Sequence, residues 1–294
     1  MYNILFFMDT AKELEIGKEY FSPRATLECG QTFRYEWDGG GYFVCAGERA
    51  CRIAEAETSV KIVCKAGDAE YFSEYFDLSR DYSQIVSRAE RTGIGYLCEA
   101  ARYGKGIRIL NQDAEEMIIT FLLSQNNNIP RIKQMISKLG AALGERKEFF
   151  GREYRAFPSA QRMAEQDAEF YKGLGFGYRA EYIVSAAREL AQKGAAEFSK
   201  LETGELRERL MKIRGVGRKV ADCILLFGFH RTDAFPVDVW TERVYRERLG
   251  GTERNREKIA QELEKEYGAD SGYFQQYMFY YEREGVKYGE DHDR

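Results

Sequence analysis

Apolar and polar positions change their rhythm along this chain. Over the first hundred residues the apolar runs are short and β-rich: Tyr2–Met8, Gln31–Trp37, Gly41–Ala46, Cys51–Ala54 and Val60–Cys64. Turn material separates them, notably Asp38 to Gly41 and Ala46 to Glu48. Residues Thr32 to Trp37 alternate in type, which suits an antiparallel sheet with one wet face. From Tyr71 to Tyr103 the spacing becomes helical. Beyond about Asn111 it stays helical. Met117, Ile118, Phe121 and Leu122 make one stripe, and Ile132, Met135, Ile136 and Leu139 the next. Breaks fall at Pro158, Ser159 and Gly173–Gly177. Helical runs follow at Tyr182–Leu190, Val220–Phe227, Val244–Leu249, Ile259–Tyr267 and Tyr273–Glu284. The pattern predicts an α+β protein: residues 1–105 form a sheet domain with flanking helices, and 106–294 form a helical domain.

Length supports two packed units, since 294 residues exceed one small core. The net charge of −4 gives no global attraction for nucleic acid. One stretch departs from that balance. From Glu205 to Arg231 there are seven basic and three acidic residues, a local net of +4. Six cysteines lie scattered with no C-x-x-C pair, so no zinc ribbon or iron–sulfur cluster is expected, and free thiols are. Only two histidines, His230 and His292, are present, which nearly excludes a histidine-based metal site. The apolar run Ile4 to Met8 is too short to span a membrane or direct secretion.

Within the basic stretch, Leu206 to Asp238 reads as helix, glycine hairpin, helix, loop and carboxylate. Gly215, Val216 and Gly217 form the hairpin, and Lys219 opens the second helix. Two glycines between helices leave backbone N–H groups free to meet a phosphate. Lys219 and Cys223, four residues apart, share a helix face. Taken singly, Lys219 reads as a phosphate-contacting or solvent lysine, and Asp238 as a helix N-cap.

Together these residues carry a resemblance. Gly215-Val-Gly217, Lys219 and Phe235-Pro-Val-Asp238 resemble the helix-hairpin-helix, Gly/Pro–Asp superfamily of base-excision DNA glycosylases. Cys29 to Arg34, Ser124 to Arg131, Gly173 to Ala180, Lys219 to Cys223 and Tyr267 to Gln275 are similar to the 8-oxoguanine DNA glycosylases of the eukaryotic type. The hairpin alone is shared by many DNA-binding proteins. The patches in this order cover nearly the whole chain.

The resemblance implies an enzyme that flips 8-oxoguanine out of duplex DNA, with cytosine preferred opposite, and excises it through a lysine Schiff base before β-elimination cuts the strand. It implies Lys219 as nucleophile and Asp238 as the carboxylate that assists. A reactive Lys219 is expected to have a lowered pKa, through burial or a helix dipole. Gly30, Cys223, Gln275 and Phe279 would hold the flipped base. The Gly30 carbonyl would accept the N7 proton that oxidation adds, Gln275 would bond the Watson–Crick edge, and Phe279 and Cys223 would cover the two faces. Without the resemblance, Phe279 reads as core and Gly30 as a turn glycine. Asn126, Arg131, Tyr178 and Arg179 match hole-filling and partner-base positions, with Arg131 suited to cytosine. On its own the Asn126–Asn128 run reads as a helix cap and turn.

The same resemblance implies that no cofactor is required. A structural monovalent or divalent cation could sit on the hairpin carbonyls of Met211, Ile213 and Val216. The expected partner is double-stranded DNA with oxidised guanine, bound by a monomer with no membrane contact. The expected place is the cytoplasm and nucleoid of a bacterium or archaeon, or a eukaryotic nucleus, without secretion. The chain departs from the family pattern at Arg214, usually proline, and at Trp240, often a histidine. Two other readings stay open: a non-catalytic helix-hairpin-helix DNA-binding module, and a glycosylase of the superfamily with another damaged-base specificity. The four-cysteine branches are disfavoured because the last cysteine is Cys223, and the alkylpurine branch because it usually lacks the hairpin lysine.

Overall fold

The computed structural model describes residues 10–285. The expected strand at Tyr2–Met8 lies outside them. A five-stranded antiparallel sheet opens the fold. Its strands are β1 (Ala11–Gly17), β2 (Tyr35–Trp37), β3 (Tyr42–Ala46), β4 (Arg49–Glu55) and β5 (Ser59–Lys65), in the order β1-β5-β4-β3-β2. Helix α1 (Pro23–Glu28) lies between β1 and β2, capped by Ser22, which accepts from the Ala25 N–H.

β1 was not expected from the sequence. It is an edge strand with a charged, mostly exposed surface, paired from Ala11 opposite Lys65 to Gly17 opposite Ser59. The expected strand at Gln31 is shorter than the pattern predicts. Residues 31–34 are an extended loop, because Gln31 is buried and turns its amide to the carbonyls of Thr26 and Arg108. The inner faces of the sheet, including Val44, Ile53, Val60 and Ile62, pack on α2 (Ala69–Tyr75) through Phe72 and Tyr75.

Helices α3 (Tyr82–Arg91) and α4 (Gly95–Tyr103) follow, and their apolar faces enter the core of the helical half. That half begins with α5 (Ala114–Ser124), buried on nearly every side, and α6 (Ile129–Leu143), whose Ile132, Met135, Ile136 and Leu139 turn inward as their spacing predicts. A second unexpected element interrupts it. Strands β6 (Arg146–Phe149) and β7 (Arg152–Arg155) form a hairpin inside the region read as wholly helical. Phe149 packs edge-on against Phe43 of the first sheet, with ring centroids 5.9 Å apart. The hairpin thereby fastens the two halves.

Helices α7 (Ala160–Ala164), α8 (Ala168–Gly173), α9 (Arg179–Lys193), α10 (Thr203–Met211), α11 (Arg218–Gly228), α12 (Val239–Glu247), α13 (Arg256–Tyr267) and α14 (Ser271–Tyr280) complete the body. A π-helical turn at Tyr281–Gly285 extends α14. α11 packs along α5, stacking Phe227 on Phe121 with centroids 5.6 Å apart. No described helix is long and apolar enough to cross a membrane.

Candidate active site

The α10–α11 hairpin is fixed by one close approach. Gly215 has φ +92°, and a β-carbon there would lie 2.5 Å from the Tyr182 ring of α9. Only glycine fits such a backbone. Gly217 then serves as N-cap of α11 without any side-chain hydrogen bond. The first amides of α11 therefore remain open to an anion.

The basic stretch around this hairpin is less free than its composition implies. Arg207 and Arg218 both grip the fully buried Asp222, at 2.6 and 2.8 Å. Both also reach Glu264 of α13, at 2.6 and 3.0 Å. Burial pushes the Asp222 and Glu264 carboxyls up, while the two guanidiniums oppose it. Arg209 pairs with Glu189, and Arg214 with Glu181 at 3.5 Å. The local surplus of +4 is thus largely cancelled by acids from α9 and α13. Those acids stand far away in sequence, so counting within the segment could not find them.

Lys219 stands in a cleft of about 530 Å³. Its walls include Asn126, Asn127, Val237, Asp238 and Trp240. The lysine is accessible from solvent within this concave site. Asp238 caps α12, with Oδ1 accepting the Thr241 N–H at 2.8 Å. The cap and the cleft-lining position are held by the same side chain. Cys223 is buried one turn after Lys219 on α11.

The expected lowering of the Lys219 pKa is not what the site produces. Cys223 and Asp238 hold the ammonium above its ordinary value, against the desolvation of the cleft. Burial pushes the Cys223 thiol up, although Lys219 pulls the other way. At neutral pH the resting site is an ammonium beside a thiol. A helix N-terminus would disfavour the cation, but the Cys223 sulfur and the Asp238 carboxylate outweigh it.

The loop from Gln125 to Asn128 forms another wall, and the Asn run divides its labour. Asn128 caps α6, accepting from the Arg131 N–H at 3.0 Å. Asn127 turns inward to the Leu123 carbonyl. Asn126 is exposed, at a left-handed φ of 47°, and donates to the Tyr178 hydroxyl at 3.2 Å. Arg179 is buried and gives its donors to the carbonyls of Gln125 and Asn126. In this structure it holds the loop rather than presenting donors to a partner base. Arg131 is exposed, with no side-chain hydrogen bond among the described residues.

A second group forms where α14 meets the loop before β2. Gly30 has φ +93°, and a β-carbon there would lie 3.7 Å from the Phe279 ring and 3.8 Å from Ile129. Gln276 donates to the Cys29 carbonyl at 3.0 Å, pinning this loop to α14. Gln275 shares the Phe279 face of α14 and is buried, with Oε1 unpartnered. The α5–α6 connection and the start of α6 join the groups: Asn126 and Asn127 line the Lys219 cleft, and Ile129 stands 3.8 Å from where a β-carbon of Gly30 would be.

Sequence reading missed two supports of this arrangement. One is the double clamp on Asp222 and Glu264. The other ties α12 to the end of α14. Arg243 reaches Glu282 at 2.5 Å and lies 4.6 Å from the Trp240 ring centroid, while Tyr96 donates to Glu282. Its signal was the Trp240 departure itself, since a tryptophan exposed at a cleft mouth needs something to hold it.

Residues 13–118 match the model of the 8-oxoguanine DNA glycosylase N-terminal domain. Residues 119–268 match that of the HhH-GPD superfamily base excision DNA repair proteins. The chain is 32% identical over 283 residues to the N-glycosylase/DNA lyase OGG1 of Arabidopsis thaliana, covering 86% of this chain and 75% of that protein. It is 31% identical to a probable N-glycosylase/DNA lyase of Methanothermobacter thermautotrophicus, over 71% of this chain and 72% of that one. Among solved structures, the Clostridium acetobutylicum 8-oxoguanine glycosylase/lyase, in complex with double-stranded DNA containing cytosine opposite 8-oxoG, superposes with a TM-score of 0.86 at 32% identity. That match covers 95% of this chain and 100% of the other. With both halves matched in order and the hairpin in place, the chain belongs to the 8-oxoguanine DNA glycosylase family of the helix-hairpin-helix base excision repair superfamily.

Proposed function

We propose that this protein excises 8-oxoguanine from duplex DNA, preferring cytosine opposite, and then cuts the strand at the abasic sugar. The observation that carries this reading is the placement of Lys219 beside Cys223 in a cleft walled by Asp238, directly behind an uncapped hairpin amide cluster.

The chemistry follows from those positions. Phosphate oxygens meet the open amides of α11, which brings the strand to the cleft mouth. The damaged nucleotide rotates out of the stack, its base toward Gly30 and Phe279 and its sugar toward Lys219. Asp238 stabilises the positive charge that develops on the sugar as the C1′–N9 bond breaks. Lys219, having lost its proton, donates its electron pair to C1′, and the departing base leaves with the bond electrons and takes up a proton. Opening of the sugar ring gives a Schiff base. Loss of a C2′ proton then expels the 3′ phosphate, which completes β-elimination.

Asn126 and Tyr178, hydrogen-bonded to each other and exposed, are suited to fill the vacated stack, and Arg131 to donate to the orphaned cytosine. A cation on the carbonyls of Met211, Ile213 and Val216 would stiffen the hairpin; the Ile213 oxygen also accepts the Val216 N–H at 3.0 Å, so the ion would share it. The enzyme would act as a monomer. The test is direct: a duplex carrying 8-oxoguanine opposite cytosine is incubated with the protein, and base release and strand scission are followed separately. Release of the base followed by scission supports the reading, and binding without release contradicts it.

A further inference from the structure

Arg283 lies on the π-helical turn that follows α14. Such turns inside helices often mark functional positions. The guanidinium is anchored on two sides. Nη2 donates to the Glu28 carbonyl at 2.6 Å, and Nε to Glu284 at 2.9 Å. The third nitrogen, Nη1, is buried and has no hydrogen-bond partner among the described residues. It stands 3.3 Å from where a β-carbon of Gly30 would be, and the guanidinium centre lies 5.5 Å from the centroid of the Phe279 ring. Gln275, one turn before Phe279, leaves a buried Oε1 unpartnered as well.

An unpartnered buried donor and an unpartnered buried acceptor cost free energy unless a ligand completes them. Gln275 lies midway along α14 on the Phe279 face, and Arg283 lies on the turn that follows, beside Gly30. The anchoring bonds set Arg283 as a wall of that site, with Nη1 as its free edge. We propose that Arg283 is a specificity-determining residue that donates a hydrogen bond to the C8 oxygen of the extruded base. The inference rests on the glycosylase reading above.

The chemistry favours the oxidised ring. Oxidation replaces C8–H by a carbonyl and places a proton on N7. An N–H donor beside the Gly30 backbone meets an acceptor in the damaged base, and a C–H in guanine. With guanine the buried donor stays unsatisfied, so the interaction acts in favour of the lesion and against the normal base. A charged donor makes such a bond stronger than a neutral one.

The test compares wild type with Arg283→Met and Arg283→Lys in the full chain. Single-turnover excision of 8-oxoguanine opposite cytosine, equilibrium binding of lesion and undamaged duplexes, and cleavage at a preformed abasic site are measured. Arg283→Met should slow excision and weaken lesion binding on the order of 10- to 100-fold. Cleavage at the abasic site, which has no base to read, should fall far less, and Arg283→Lys should recover part of the loss. Binding of a duplex with 8-oxoadenine, which keeps the C8 oxygen and lacks the C6 one, should weaken by a similar factor. Unchanged excision, or equal losses on lesion, undamaged and abasic DNA, would overturn the proposal. So would a loss confined to 8-oxoguanine and absent with 8-oxoadenine. If wild type itself releases no base, the glycosylase reading fails and the role of Arg283 falls with it; if wild type releases the base and Arg283→Met does so equally, the role of Arg283 alone is overturned.

Discussion

The Asp238 carboxylate accepts the Thr241 N–H at 2.8 Å and so caps α12, while the same side chain lines the cleft of Lys219. Structure and chemistry can be separated at this residue because asparagine caps a helix nearly as well as aspartate. Asp238→Asn should keep its thermal stability, and Asp238→Ala should lose about 1 kcal/mol. Both should slow excision on the order of 100-fold or more, since both remove the charge that faces the sugar. Denaturation curves and single-turnover rates on the same preparations check the separation.

The resting Lys219 is an ammonium, held up by Cys223 and Asp238. Nucleophilic attack needs the neutral amine, whose fraction rises with pH below the pKa. Single-turnover excision should therefore increase from pH 6 through pH 9, roughly tenfold per unit where this step limits. Removing an anionic neighbour lowers the pKa, so in Asp238→Asn the pH profile should shift to lower pH even as its plateau falls. A flat profile in both proteins would mean that another step sets the rate.

Asp222 is fully buried between Arg207 and Arg218. Replacing it with alanine leaves two guanidiniums to share Glu264. The expected loss is about 3–5 kcal/mol, the cost of uncompensated buried charge. Urea denaturation of Asp222→Ala measures it. Arg218 and Asp222 also line the Lys219 cleft, so the same variant should weaken DNA binding by more than its unfolded fraction accounts for.

Arg131 is exposed and makes no side-chain hydrogen bond among the described residues. Arg131→Ala should fold normally and excise with less preference for cytosine opposite the lesion. Each bidentate base contact is worth about 1–3 kcal/mol, so the ratio of rates opposite cytosine and adenine should fall on the order of tenfold. Measuring excision opposite all four bases tests this.

The helical half was legible because burial enforces period. The inward positions of α6, Ile132 to Leu139, are the apolar ones. The first sheet was legible from β3 to β5 through its apolar, β-rich runs: β3 is buried at nearly every position, and along β5 buried residues alternate with half-buried ones. β1 and the β6–β7 hairpin escaped because their strands are charged. Of Arg146–Phe149 only Phe149 is buried, and its partner Phe43 lies a hundred residues away. The strands are joined by Phe150-Gly151, a two-residue hairpin loop in which Phe150 takes a left-handed φ of 46°. Glycine positions were readable by type, but the reason for Gly215 was not, since Tyr182 comes from another helix. Charge was the least legible quantity. The hairpin looked basic until Glu181, Glu189 and Glu264 came against it. The direction of the Lys219 pKa failed likewise, being set by neighbours that only the fold brings together.

The central claim is that Lys219 forms the covalent bond to the sugar. Borohydride reduction during turnover on a duplex with 8-oxoguanine opposite cytosine tests it most directly. Wild type should be trapped as a stable protein–DNA complex, and Lys219→Gln, folded and still binding the duplex, should give none. A trapped complex from Lys219→Gln equal to that of wild type would contradict the assignment.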